Sequence, residues 1–301
     1  MAAYVETAAK TVLATAGRDR DRSVKSLVFL GLLWFSLFFG VLVLVALIVS
    51  TALEGAPRFD SDLITRYSST LSPERTGFRA GILGSLMVIL VTAAMAVPIG
   101  IAAALHLEEF ANKDRWYNRF IEVNLQNLAA VPSVVYGLLA VAFVTLMGIH
   151  QRGLVISGAV ALSLLILPVI IITTREAVRA VPREIRDGSM ALGATRWQTT
   201  WKQTLPSAVP GIATGTILGL SRAIGEAAPL LIIGTATAIR FDPNGLMSQF
   251  TALPLEIYST TSQSREDFRV AAAAAIIVLL VMILALNGLA IFIRNKFQRS
   301  W

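Results

Sequence analysis

Six apolar runs, each about twenty residues or longer, constrain this chain more than any other feature. They cover 27–53, 80–105, 125–149, 153–173, 211–235 and 270–293. A helix rises about 1.5 Å per residue, so roughly 20 residues cross a hydrocarbon layer of about 30 Å. With 55% hydrophobic and 15% charged residues in 301, the chain is predicted to be an all-α integral membrane protein with six transmembrane helices. Pro132, Pro168 and Pro229 interrupt the third, fourth and fifth runs. They blur the ends of those spans more than their existence.

Charge sets the expected orientation. The 1–26 tail, the 106–124 and 174–210 loops and the C-terminal tail together carry 17 Lys and Arg, against 8 in the other three loops. The positive-inside rule therefore puts both termini in the cytoplasm. The net charge of +7 follows from that bias and calls for no nucleic acid. The first run is too long for the apolar part of a signal peptide and follows a polar tail, so an uncleaved anchor is expected. Zero cysteines exclude disulfides, thiolate catalysis and thiolate-bound metal. His106 and His150 fall at span ends on opposite sides and read as interface residues, not metal ligands. Neither HExxH, GxSxG nor a glycine-rich GK[ST] loop occurs, so any ATP that drives this protein binds another chain.

The loop between the fourth and fifth runs contains DGSMALGATRWQTTWKQTLP, residues 187–206. Its pattern predicts a short amphipathic helix, a turn, and a second helix entering the next span. Small residues at Gly188, Ser189, Ala191 and Gly193 let a partner's backbone come close. Met190, Leu192 and Trp197 then offer knobs for a partner's groove. Pro206 and Pro210 suit the first turn of the following helix, where a missing N–H costs nothing. An ordinary interfacial loop helix is the competing reading.

Two charges inside the fifth run are expensive there. Arg222 sits about 15 Å into the span counted from Ile212, with Glu226 about 6 Å further. An arginine at such depth costs about 2.5–3.5 kcal/mol, whereas each Leu, Ile or Val returns only about 0.3–0.6 kcal/mol. Spacing of i, i+4 places the two on one face within mutual reach. They read either as a neutral staple or as an anion-handling pair in which the guanidinium fork meets oxyanion oxygens and the carboxylate allows release. Gly219, Gly225 and Pro229 allow close packing and a bend beside them. Arg175, after the fourth run, is a second cationic candidate; positive-inside charge or a local pair with Glu176 would also account for it.

Residues 187–206 resemble the signature loop of ABC-importer permeases. In that pattern an acidic residue and two small residues precede a glycine four places on, and Leu-Pro closes it. Asp187, Gly188, Ser189, Gly193, Leu205 and Pro206 fill those positions. Asp stands for the usual Glu, Gly-Ser for Ala-Ala, and Gln203 for an apolar residue. The segment beginning at Gly81 resembles the opening of the permease core, and AAVPSVVYGLLAVAF from Ala129 is similar to phosphate-importer permeases. SRAIGEAAPLLIIG (221–234) and TALPLEIY (251–258) resemble the PstA-type permease subunits of phosphate importers.

That resemblance implies the type I ABC-importer permease, or MetI-like, fold. It divides the chain into a cytoplasmic tail (1–26), a first span (27–53), an external loop (54–79), a five-span core (80–293) holding the 174–210 coupling loop, and a C-terminal tail (294–301). It implies a non-catalytic subunit in a prokaryotic cell membrane that moves inorganic phosphate by alternating access. The implied partners are a PstC-type permease, an ATPase dimer holding ATP and Mg2+, an extracytoplasmic phosphate-binding protein and membrane lipid. This chain itself binds no cofactor and no metal in that picture. Arg222, Glu226 and Arg175 would serve the phosphate path, and residues 187–193 with Leu205 and Pro206 the ATPase contact. A permease for phosphonate, sulfate or molybdate, or a secondary carrier, is the alternative; the carrier is disfavoured because no internal repeat is found.

Overall fold

The computed structural model describes residues 24–112 and 115–297. The predicted tails lie largely outside the described residues. The chain divides into two compact units at Leu53/Glu54. The described part of the first is one helix, α1 (Val24–Gly55), strongly apolar and long enough at 32 residues to cross a membrane.

The second unit is helical, and among the described residues it contains no strand, only an isolated antiparallel bridge between Leu154 and Gln249. From Arg79 on, its α-helices are α2 (Arg79–Leu105), α3 (Trp116–Ala129), α4 (Ser133–Leu146), α5 (Val155–Arg179), α6 (Arg183–Ala191), α7 (Arg196–Thr199), α8 (Leu205–Gly225), α9 (Ala228–Ile232), α10 (Leu253–Thr261) and α11 (Glu266–Phe297). Helix α5 is the centre, packed on α2, α4 and α8. Ala159, Leu162, Ile166 and Ile170 of α5 are at most 1% exposed. Contacts are close because small residues face α5: a β-carbon added to Gly215 of α8 would stand 2.1 Å from Thr173 Oγ1. In lipid, where apolar tails provide little drive for helix association, such backbone approach is a main source of packing energy.

The expected spans come out unequally. Among the described residues four helices are long and apolar enough to cross a membrane, α1, α2 with its extension to Phe110, α5 and α11, and α3 with α4 makes a fifth if the bent pair is one span. Two expectations need correction. The third run does not form one helix over 125–149: the chain turns by 114° between α3 and α4, with Pro132 as the extended cap before α4 (φ −56°, ψ 138°). Proline has no N–H and steers its predecessor away from helix, so the helix stops before it and restarts after it. The fifth run does not form one helix over 211–235 either; it breaks between α8 and α9.

The ends of the bundle away from the α6–α7 loop are tied by ion pairs. Arg79 donates from Nη2 to Asp242 Oδ2 at 2.7 Å and from Nε to both Asp242 oxygens at 3.1 Å. Those hydrogen bonds, and then the guanidinium charge, hold the Asp242 carboxyl below its usual range. Arg58, only 9% exposed, donates to the carbonyls of Pro73 and Thr76 and secures the segment after α1.

Candidate functional site

Helix α8 ends at Gly225, and Glu226 adopts an extended conformation (φ −82°, ψ 118°). Arg222 therefore lies in the last turn of α8 and Glu226 just beyond it. The Arg222 Nε is 3.3 Å from Glu226 Oε1, with the two side chains 47% and 20% exposed. A cation in the last helical turn also meets the negative end of the helix dipole. The pair is thus formed and half open, not sealed in the core. Gly225 terminates the helix with no atom within 4 Å of where a β-carbon would stand. Pro229 starts α9 from its second position, where no N–H is needed, and is buried. Close packing at the break comes instead from α4: a β-carbon on Gly137 would lie 2.8 Å from the Pro229 carbonyl oxygen. Next to Arg222, the Ser221 hydroxyl bonds to Asn287 of α11. Neither Gly137 nor Asn287 stood out in the sequence, because each gains its role only from a distant neighbour.

Arg175 is placed differently. Its side chain is 9% exposed, with Nε 3.3 Å from Glu108 Oε2 and Nη2 2.8 Å from Glu122 Oε1. Arg179, one turn on, reaches the same carboxylates at 3.0 and 3.4 Å, and also Glu176 at 3.5 Å. Glu176 is therefore the partner of Arg179, not of Arg175. The 114° turn before α4 lays the amphipathic α3 against α5 and delivers Glu122, while a π-helical turn after α2 (His106–Phe110) delivers Glu108. The result is a five-residue ionic cluster joining the loop-side ends of three helices, and sequence spacing gave no sign of it.

The loop after α5 is clamped to the bundle. Arg186 donates to the carbonyls of Val178 and Val181 at 2.6 and 2.8 Å and to Glu109 Oε1 at 3.0 Å. The Ser189 and Thr199 hydroxyls are 3.0 Å apart. Helix α6 ends in a turn at Gly193, whose φ of +86° favours glycine. Thr195 then starts α7 with a capping box completed by Gln198. Leu192 stands 91% exposed and Met190 41%. Trp197 is committed to its own chain, with ring centres 5.4 Å from Trp201 and 5.8 Å from Phe110. An open cleft beside Leu192 is lined by Ile185, Gly188, Ser189, Gly193 and Ala194. Asp187 lies on another side, in a charged pocket with Arg183 and Arg196; Ala191 closes α6.

Pro206 takes the second position of α8, the first-turn place expected of it, whereas Pro210, expected there too, lies inside the helix. The backbone stays helical from α7 through a π-helical turn at Thr200–Thr204 into α8, so Leu205 and Pro206 belong to a continuous rod. A π turn shifts the hydrogen-bond register by one residue, which accommodates a proline that can neither donate nor clear the carbonyl four residues back.

A membrane bundle with a broken, charge-bearing helix on one side and a clamped, small-residue loop at one end has the build of a transport permease. Residues 96–299 match the model of the binding-protein-dependent transport system inner membrane component family, and the chain belongs to that family. It is 30% identical over 277 residues to the phosphate transport system permease protein PstA of Yersinia pestis, covering 91% of this chain and 92% of that one. With PstA of Mycobacterium leprae it shares 34% over 254 residues, 82% and 81% of the two chains. Among solved structures, an inward-facing MetNI methionine ABC transporter superposes with TM-score 0.60 at 18% identity over 73% of this chain and 95% of the other. A bacterial ABC transporter that imports alginate superposes with TM-score 0.58 at 17% identity, covering 95% and 99%. These likenesses establish the MetI-like permease fold.

Proposed function

We propose that this chain is the permease subunit of an ATP-driven importer of inorganic phosphate. The observation that carries the reading is identity at or above 30% with phosphate permeases across more than four fifths of the chain, together with a guanidinium placed at a helix break. The loop end faces the cytoplasm, in keeping with the Lys and Arg bias. A homologous permease completes the pathway across a pseudo-twofold axis, two ATPase subunits dock on α6, and a phosphate-binding protein delivers from the far side.

In this reading Arg222 offers two parallel donors to phosphate oxygens, and Glu226 competes for the same fork so that the anion is released. No bond is made or broken in the cargo. ATP-driven closure of the ATPases pushes on Leu192 and Met190, and the Arg186 clamp and the continuous α7–α8 rod carry that displacement to the Arg222 turn. Arg175 already has two carboxylate partners, so its part in phosphate passage is to be held and freed as the loop-side helix ends close and separate. The deciding experiment is uptake of radiolabelled phosphate into proteoliposomes holding the permease pair, the ATPases and the binding protein. Uptake should require ATP and saturate with phosphate. Transport of sulfate or molybdate with phosphate excluded would overturn the substrate; uptake without ATPases would overturn the class.

A further inference from the structure

The chain turns between α4 and α5 at the end of the bundle opposite the coupling loop, and a cavity of about 180 Å³ opens there. The turn is fixed to the segment after α9: Gly153 N donates to Ile233 O at 3.2 Å, and Gly153 O accepts from Phe250 N at 3.2 Å. The cavity floor is apolar, with Val144 and Ile233, the latter belonging to the segment that follows the Arg222–Glu226 break. Its polar lining is Thr145, His150, Gln151, Arg152 and Ser157, with no Asp or Glu among the lining residues.

Ser157 is 4% exposed, and its Oγ has no hydrogen-bond partner. A buried hydroxyl left unpaired costs on the order of 1–3 kcal/mol, so an unmet partner is implied. Ser157 is also the third residue of a 25-residue helix. Two N–H groups of that first turn are already taken, Val155 N by Ser248 O at 3.0 Å and Ile156 N by Leu246 O at 2.9 Å, so the helix end contributes only its partial positive charge. Arg152 makes no ion pair among the described residues, and its aliphatic stem lies over Gly234, 3.1 Å from where a β-carbon there would stand. Hydroxyl, helix terminus and unpaired guanidinium all suit an anion, and the lining holds no carboxylate to repel one. At about 30 Å³ per water, the space takes a five-atom oxyanion with one or two waters.

We propose that this cavity is a phosphate-group subsite, held by Arg152 and Ser157 with Thr145 on its wall, at the mouth of the permease, ahead of Arg222. The assignment rests on the phosphate reading above for its cargo. A free phosphate ion and an anionic lipid headgroup present the same group, so the test separates them.

The chain has no cysteine, which allows Thr145→Cys as a reporter in the complete transporter, assembled with partner subunits free of accessible cysteine. Its reaction rate with a neutral thiol reagent is measured against inorganic phosphate, first in lipid-free detergent and then in phosphatidylglycerol vesicles without free phosphate. Phosphate should slow labelling at least threefold. Adding Arg152→Gln should abolish that protection, and Ser157→Ala should raise the half-protecting concentration severalfold, while Ser262→Cys as the reporter should show no protection. Protection by phosphatidylglycerol alone assigns the same group to a headgroup. If neither source protects Thr145→Cys while the same vesicles import phosphate, the subsite is refuted and the importer reading stands. If phosphate protects but uptake never occurs, the subsite stands and the importer reading falls.

Discussion

Arg222 and Glu226 admit two roles that make opposite forecasts for a double substitution. If Arg222 handles the anion, Arg222→Gln abolishes uptake with the complex still assembled, and Arg222→Lys, which keeps charge but loses the fork, impairs it strongly. Adding Glu226→Gln to Arg222→Gln then restores nothing. A staple behaves otherwise, because each single variant leaves one polar group unmatched and the double variant recovers both assembly and flux. With the two side chains 47% and 20% exposed, we expect assembly to survive every variant and flux to fail in the double. Glu256 supports a second forecast. It is fully buried on α10, accepts from Gly81 N at 3.2 Å through Oε2, and has no partner for Oε1. Burial pushes its carboxyl up from 4.5 to about 8. The folded chain thus holds this proton more tightly than the unfolded chain, so its stabilisation is full below pH 4.5 and is lost as pH rises towards 8. Glu256→Gln keeps an acceptor for Gly81 without the charge. Thermal melting in detergent should show the wild type weakening across that window, by on the order of a few kcal/mol at most, and the variant flat.

At the scale of elements, the α6–α7 loop, proposed above as the ATPase contact, is held firmly to the bundle. Arg186 makes three hydrogen bonds to the ends of α5 and the turn after α2, so α6 moves with the bundle and not independently of it. Replacing Gly193 by Val forces a β-branched residue to φ near +86°, at a cost of about 1–2 kcal/mol, although the surrounding space is open. Insertion should therefore be normal, while ATPase co-purification or the coupling of hydrolysis to uptake weakens. Arg186→Gln should leave ATPase binding near normal but lower the phosphate moved per ATP at least severalfold. Wild-type ratios in both variants would remove the loop from the coupling path.

For the whole molecule, the proposed function makes the face that carries the half-open Arg222–Glu226 pair the one that meets a second permease. A single cysteine on α8 at exposed Leu218 should cross-link to cysteines on the sister subunit. Buried Ile212 of the same helix should not. Absence of any α8 cross-link in an assembled, active transporter would place the shared pathway on another face.

Composition and periodicity determined that this chain is helical and lives in a membrane, because apolar length and charge bias are local properties that bilayer thickness reads directly. The Asp187–Pro206 spacing and the SRAIGEAAPLLIIG segment pointed to the permease class from sequence alone. Tertiary structure decided the rest, since it depends on which residues meet. Pro132 signalled an interruption but not the 114° turn that brings Glu122 to Arg175. Pro206 kept its expected first-turn place, but the π turn that joins α7 to α8 ahead of it showed only in the fold. Ser157, Glu256 and Asn287 are unremarkable by spacing; they matter because the fold buries them against chosen neighbours, or against none.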